Sequence, residues 1–259
     1  MRLGVAYNFF NSEEHLLASL SSVRNTVDFI VIIYQTVSNA GEAWSDSARD
    51  VLEVALTSKL ADMAVEYIPD LSLIRQENER QKRKQGLLQC RTARCSHFLS
   101  MDADEFYRHS EMENAKLIIL QHDLSVTTVS SFFHLKRPIY RALDTTNVPF
   151  ICKINWFTRI GITKYPVQMV DPTRKIGTFP LRHKHFDSAT VAMYHMNFVR
   201  MSFTSKLRNT STTDQNFLNL VDNRIKEWTH PNIFNFPNKG NFDIELVKNE
   251  FATFDPIKS

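Results

Sequence analysis

Three acidic residues stand close together near the middle of the chain, at Asp102, Asp104 and Glu105. Residues two apart in an extended segment point the same way, so Asp102 and Asp104 can converge on one point, and the small Ala103 leaves room for a ligand. Two ionised carboxylates this close repel each other, and a divalent cation that also binds phosphate oxygens resolves the repulsion. The spacing predicts a metal-assisted phosphate site. A strand end followed by an acidic helix start is the structural alternative.

Glycine spacing narrows how phosphate could be bound. The 6 glycines lie at positions 4, 41, 86, 161, 177 and 240, so no pair has the spacing of a dinucleotide fingerprint or a P-loop. If the chain binds phosphate, something other than closely spaced backbone amides must neutralise the charge. Arg200 and Lys206 are candidates for this role, and a cation cluster at a helix end is the alternative for both.

Composition excludes several function classes. The 259 residues are 43% hydrophobic and 23% charged with a net charge of +3, as in an ordinary soluble globular chain. The basic run from 75 to 94 contains no aromatic residue, so it predicts a solvated helix face and no nucleic-acid binding. The three cysteines are an odd set without the paired spacing of a zinc site, which favours reduced thiols and a reducing compartment, and no apolar run is long enough to span a membrane. We therefore expect a cytoplasmic protein.

The elements that must position the acidic stretch follow an α/β rhythm. Apolar runs predict strands at 3–7, 27–34, 63–68 and 97–101, with helices from 12, over 48–60 and over 72–94. After residue 110 the pattern changes to strand-like segments at 125–133, 151–157 and 190–198. The acidic stretch then lies at the carboxyl end of the fourth strand, where open α/β sheets bind ligands.

In this context the chain resembles the GT-A-type glycosyltransferases, in particular their compact family-2-like branch. An Asp-Ala-Asp-Glu-Phe stretch after a buried strand carries the resemblance, which covers roughly residues 3–206. Three further segments support it: Ala6-Tyr7-Asn8 with the helix opening at 11–17, the basic segment 83–87, and a histidine segment at 193–200. The compact form and the motif are also similar to enzymes encoded by large algal viruses, which would place the protein in a host cytoplasm.

The resemblance implies a single GT-A domain over 1–259, with a Rossmann-like, mostly parallel central sheet flanked by helices. It divides into a nucleotide-sugar-binding lobe at 1–110, a smaller mixed α+β acceptor lobe at 111–210, and a helical tail at 211–259. The implied activity is hexosyl transfer from a nucleoside-diphosphate sugar, most simply a UDP-sugar, to a carbohydrate acceptor.

The resemblance also implies roles for individual residues. Asp104 and His195 would bind the metal, and Asp102 would contact the ribose or the metal. Mn²⁺ is favoured if a histidine nitrogen completes the site, because Mg²⁺ prefers oxygen ligands, and Mg²⁺ stays the alternative. The implied donor-nucleotide contacts are Ala6, Tyr7, Asn8, Arg83, Lys84, Asp102, Ala103, Arg200 and Lys206. His183 and His185 rank behind His195, and a basic strand near the acceptor is the favoured interpretation of that pair.

Acceptor chemistry is less constrained by the sequence. An inverting transfer requires a carboxylate base, and Asp171 and Asp187 are the candidates. Neither residue stands in an unmistakable base motif, so a retaining reaction stays open. Flat faces for sugar rings are offered by four aromatic residues, Trp156, Phe157, Tyr165 and Trp228. Two rival functions remain: a metal-dependent phosphohydrolase using the same acidic pair, and a non-catalytic nucleotide-sugar-binding module.

Overall fold

The computed structural model describes residues 1–169, 171–203 and 214–256. Within them the α-helices are α1 (Glu13–Val23), α2 (Asp46–Thr57), α3 (Arg75–Thr92), α4 (His109–Gln121) and α5 (Gln215–Glu227). The longer strands are β1 (Leu3–Phe9), β2 (Phe29–Tyr34), β3 (Met63–Glu66), β4 (His97–Asp102), β6 (Val126–Leu135), β7 (Tyr140–Lys153), β10 (His183–Phe186) and β11 (Ala192–Phe198). The short ones are β5 (Glu105–Phe106), β8 (Arg159–Ile160), β9 (Ile176–Gly177), β12 (Phe234–Phe236), β13 (Gly240–Phe242) and β14 (Glu245–Leu246).

The first half of the chain forms the parallel part of the main sheet. Strands β3, β2, β1 and β4 lie side by side in that order and all pair in parallel. The apolar runs of β1, β2 and β4 are largely buried, because helices cover both faces, whereas the edge strand β3 is only partly buried. The α/β fold class of this half therefore agrees with the sequence prediction, with element ends that differ by a few residues.

The second half makes the sheet mixed. Strand β7 is antiparallel to both β4 and β6, while β11 and β10 run parallel to β6. The prediction of a mostly parallel sheet therefore holds for the first half only. Pro149 lies inside β7, next to register shifts in the β6–β7 pairing. A proline is tolerated in a strand where pairing is interrupted, which is why it did not end β7.

Strand β1 separates two cores by the alternation of its side chains. Tyr7 packs into the core beneath α1 and α2, whereas Ala6 points to the opposite face beneath α3. A Cβ atom added to Gly86 of α3 would lie 2.4 Å from the Cβ of Ala6. Gly86 thus allows α3 to pack closely against β1. This packing positions Arg83, on the same helix, at the end of β4.

The predicted helical tail is corrected by the structure. Within 214–256, helix α5 is followed by the hairpin of β12 and β13, and β14 pairs with β7 of the main sheet. Aromatic residues alternate through the hairpin and bury against α5, which is a strand pattern rather than a helical one. No described helix has the length and apolar character needed to cross a membrane.

The buried histidine of β6 makes stability sensitive to acid. His134 donates from Nδ1 to the carbonyl oxygen of Pro138 at 2.8 Å, and its Nε2 is buried with no hydrogen-bond partner among the described residues. Burial disfavours the charged ring and lowers the pKa of His134 to about 3. Because the unfolded chain binds this proton near pH 6.5, stability must fall as the pH drops below that value.

We expect His134→Gln to flatten the acid side of the stability profile. When the pH falls from 7.5 to 5.0, the lowered pKa of His134 reduces the free energy of unfolding of the wild type by about 2 kcal/mol. Urea unfolding at both pH values measures this difference. Equal losses of unfolding free energy in the variant and the wild type would contradict this expectation. Burial also lowers the pKa of His97 to about 4, so both proteins keep some loss of stability toward acid pH.

Candidate functional site

A cavity of about 530 Å³ opens at the carboxyl ends of the parallel strands. Asn8 is the next-to-last residue of β1, Gln35 follows β2 and Asp102 ends β4, and all three line the cavity. Helix α3 adds one wall, β6 and β11 add another, and the β12–β13 hairpin closes the far side. The cavity therefore lies where the strand order of an open α/β sheet predicts a ligand.

Asp102 is held by cations from two elements. Its Oδ1 accepts hydrogen bonds from Asn8 Nδ2 and Arg83 Nη2, both at 3.1 Å, and its Oδ2 pairs with Arg174. Burial alone would raise the pKa of Asp102, but the Arg174 and Arg83 guanidiniums outweigh burial and hold it well below its ordinary value. Asp102 is therefore an ionised anchor whose oxygens are already engaged.

Arg174 joins three acidic residues beneath the cavity. It lies in a short 3₁₀ helix between β8 and β9, pairs with Glu105, and donates from Nε to Asp171 Oδ2 at 3.2 Å. Glu105 is fully buried and its Oε2 accepts from the backbone N–H of Asp102 at 3.0 Å. Burial raises the pKa of Glu105 although the Arg174 charge opposes it. The network fixes the loop that carries both aspartates.

Asp104 faces a different set of partners. One carboxylate oxygen pairs with Arg200, which also donates to Ser12 Oγ at 2.9 Å, and the other lies 3.4 Å from His195 Nε2. Backbone pairing brings Asp104 and His195 together, because His195 of β11 is paired with Glu105 of β5. The motif and the histidine segment are thus brought together although they lie about ninety residues apart.

This arrangement fits a cation held by two protein ligands. Neighbouring ligands of an octahedral ion with bonds near 2.1 Å lie about 3 Å apart, close to the separation of Asp104 Oδ1 and His195 Nε2. Asp102 is directed to the arginines instead. Among residues 1–169, 171–203 and 214–256, no group of three or more His, Cys, Asp or Glu side chains is arranged to hold a metal. Further ligands would have to come from the substrate or from water.

A polar network lies at the α3 end of the cavity. Lys82 is buried and donates to Gln35 Oε1 at 2.5 Å and to Glu79 Oε1 at 3.2 Å. Asn39 links Gln35 and Glu79 by hydrogen bonds of 2.8 and 2.9 Å. These amide and charged groups offer both donors and acceptors, which is what the edge of a nucleobase requires.

The opposite end of the cavity is built partly by the C-terminal hairpin. Asp144 of β7 accepts from Lys239 Nζ at 2.7 Å and from the backbone N–H of Thr146 at 3.0 Å. Phe236 and Phe242 of the hairpin also line this end. Sequence reasoning missed this wall because nothing local marks Asp144 or Lys239 as neighbours.

Most of the predicted site residues do meet at the cavity. Those that line it are Asn8, Arg83, Asp102, Ala103, Asp104, Asp171, His195 and Arg200. Lys206 lies outside the described residues. The cavity is also lined by residues that were not predicted as site residues, among them Lys82, Arg174, Gln35, Glu14 and Asp144.

Four predicted residues lie away from the cavity, which corrects their assignment. Tyr7 is fully buried with its hydroxyl 3.0 Å from Ser19 Oγ, and Ala6 packs beneath α3, because both belong to the strand interior. Lys84 is on the solvent side of α3, 4.0 Å from Glu77. Asp187 caps an exposed turn by accepting from Thr190.

The predicted acceptor aromatics are also corrected. Trp156 and Phe157 are exposed on a loop, Tyr165 packs beneath α3, and Trp228 is buried against the C-terminal hairpin. None of these four described side chains lines the cavity. The aromatic side chains that do line it are Phe10, Phe133, Phe198, Phe236 and Phe242.

Comparisons with known proteins give a limited likeness. No protein-family model matches the chain, and no curated protein matches its sequence. Among solved structures, the S. aureus protein TarS is similar, with a TM-score of 0.38 and 15% identity over 51% of this chain and 22% of that chain. TarS 1-349 in complex with UDP-GlcNAc gives a TM-score of 0.38 and 15% identity over 51% of this chain and 35% of that one. The chain thus spans only about a fifth to a third of these proteins.

Proposed function

We propose that this protein is a metal-dependent GT-A glycosyltransferase that moves a sugar from a UDP-sugar to a carbohydrate acceptor. One observation carries the proposal: Asp104 and His195 converge on the cavity wall beside an Asp102 held by arginines. The parallel order of β3, β2, β1 and β4 supports it, because the carboxyl edge of such a sheet binds nucleotides.

The residues fit Mn²⁺ because an imidazole nitrogen and a carboxylate oxygen face each other. When bound, such an ion stabilises the negative charge that develops on a departing nucleoside diphosphate. Asp104 Oδ1 and His195 Nε2 would hold it. Arg200 is buried beside Asp104 and supplies a fixed positive charge on the same wall, which replaces the missing glycine loop.

The remaining roles follow from position in the cavity. Asn8, Gln35, Lys82 and Arg83 surround the end where the nucleoside would lie. Of the two base candidates only Asp171 lines the cavity, but it lies 3.7 Å from Arg83 at the nucleoside end and is held by Arg174, so neither Asp171 nor Asp187 is assigned as the base. The sugar and acceptor would extend toward the hairpin end, where Phe236 and Phe242 offer apolar faces.

A donor panel tests this function. Purified protein is incubated with UDP- and GDP-sugars, Mn²⁺ and a set of glycans, and nucleotide release is followed. We expect slow release from a UDP-sugar that an added glycan accelerates. Fast cleavage of a generic phosphate ester with no glycan effect would contradict transfer and favour the phosphohydrolase. Donor binding without any turnover would favour a non-catalytic module.

Two neighbouring lysines of α3 provide a matched test of nucleoside binding. Lys82→Gln removes a buried cation that holds Gln35 and Glu79, whereas Lys84→Gln removes an exposed one on the other side of the helix. We expect the first change to weaken UDP binding about tenfold, as the loss of a charged hydrogen bond does, and the second to leave it unchanged. Titration calorimetry measures both. Equal effects would contradict the placement of the nucleoside.

A further inference from the structure

Exposed apolar side chains cluster on two loops far from the cavity. Trp156 and Phe157 follow β7, and Phe179 and Leu181 precede β10; these four side chains form the aromatic tip. Their exposed fractions are 84%, 59%, 67% and 51%. The rings of Phe157 and Phe179 lie 6.0 Å apart, so the two loops present one surface.

The loops that carry the aromatic tip are fixed by hydrogen bonds. Asn155 Oδ1 accepts from the backbone N–H of Phe157 at 2.8 Å, and Asn155 Nδ2 donates to the carbonyl oxygen of Phe179 at 3.0 Å. Arg91 of α3 donates to the carbonyl oxygens of Asn155 and Thr158. The exposure of the rings is therefore built into the fold.

Positive charge surrounds the aromatic tip. Arg159 donates to the carbonyl oxygens of Trp156 and Thr158, neither of which neutralises its charge. Lys153 and Arg182 share one carboxylate, that of Asp123, each at 2.7 Å. Together with Arg91, these cations leave a local excess of positive charge around the exposed rings.

The aromatic tip lies at the opposite end of the sheet from the cavity. Ile154 hydrogen bonds to Ser96 at the start of β4, whereas Asp102 at the end of β4 lines the cavity. A six-residue strand separates these ends by roughly 17 Å. The exposed rings therefore serve something other than the cavity's substrate.

We propose that the aromatic tip docks this protein on an anionic lipid surface. Tryptophan and other aromatic rings favour the membrane–water interface, and flanking lysines and arginines are attracted to anionic headgroups. A second copy of the chain is disfavoured as the occupant, because a two-fold contact would place the same positive patches against each other. Docking in this way leaves the cavity facing away from the lipid. The proposal does not depend on the proposed transferase activity.

Vesicle binding tests the docking surface directly. The full chain is mixed with vesicles of phosphatidylglycerol and phosphatidylcholine at equal parts, or of phosphatidylcholine alone, and sedimented. We expect binding to the anionic vesicles, weakened by salt, with a blue shift of Trp156 emission. Trp156→Ser with Phe157→Ser should lower the partition coefficient at least about tenfold. Arg159→Gln with Arg182→Gln should reduce binding to the anionic vesicles.

A matched control uses two apolar residues that are exposed at the other end of the sheet. Ile68 and Leu71 have exposed fractions of 80% and 59%, close to those of Trp156 and Phe157. Ile68→Ser with Leu71→Ser should leave vesicle binding unchanged. Absence of sedimentation with anionic vesicles, or equal binding by the Trp156/Phe157 variant, would overturn the proposal. An emission shift that follows protein concentration without vesicles would overturn it in favour of self-association.

Discussion

His195→Gln is expected to reduce donor turnover at least about 100-fold while leaving the fold intact. The change removes the imidazole nitrogen that lies 3.4 Å from Asp104 Oδ1 but spares the Asp104–Arg200 ion pair. Asp104→Asn should produce a loss of similar size. Nucleotide release from a UDP-sugar in the presence of Mn²⁺ measures both rates.

Stability must be followed alongside turnover for the Asp104 variant. Arg200 is buried, and without the Asp104 carboxylate its nearest acidic partner is Glu14 at 3.5 Å. Loss of one member of a buried ion pair lowers the free energy of unfolding by about 3–5 kcal/mol. Unfolding of Asp104→Asn would therefore reduce turnover in the same way as loss of a metal ligand. His195→Gln avoids this ambiguity, and Asp187→Asn serves as the control on an exposed turn. Turnover by His195→Gln within twofold of the wild type would contradict the assigned role.

Arg174→Met is expected to destabilise the protein by about 3–5 kcal/mol at pH 7.5. The change leaves Glu105, which is fully buried, without the guanidinium that pairs with it. Urea unfolding measures the loss. Arg24→Met, which breaks the partly exposed pair with Asp62, should cost at most about 1 kcal/mol and is the matched control.

The pH dependence of Arg174→Met identifies Glu105 as the cause. Burial already raises the pKa of Glu105 in the folded protein, and removal of Arg174 raises it further. The folded variant then binds a proton that the unfolded chain releases, so its deficit should shrink between pH 7.5 and 5.5. Glu105→Gln in the same chain should restore about half of the loss at pH 7.5. A deficit that is independent of pH and not rescued would contradict this explanation.

The sequence was most informative where local pattern decides structure. Short unbroken apolar runs bounded by polar segments favour buried strands, so the parallel half of the sheet and the position of Asp102 and Asp104 at its carboxyl edge were predictable. Tyr7 shows the limit of such reasoning. Its role was assigned by resemblance, whereas the two-residue alternation of β1 directs it into the core.

Contacts between distant segments could not be predicted. Arg174 meets Asp102 and Glu105 only because a 3₁₀ turn between two short strands folds back beneath the motif. Likewise, Lys239 reaches Asp144 because the C-terminal hairpin packs on β6 and β7, and neither residue stands in a recognisable motif. On α3, helical spacing alone could not say whether Lys82 or Lys84 faces the sheet, because the segment is polar all round.

Calorimetric titration of UDP into the wild-type protein, with and without Mn²⁺, tests the central claim most directly. The cavity offers Asp104 Oδ1 and His195 Nε2 as a pair for the ion and no closely spaced glycines to bind a diphosphate through backbone amides. We predict that Mn²⁺ tightens UDP binding at least about tenfold, in keeping with the effect of changes at metal sites on affinity. Equal affinity with and without the ion would contradict the claim that this site binds its nucleotide through a metal.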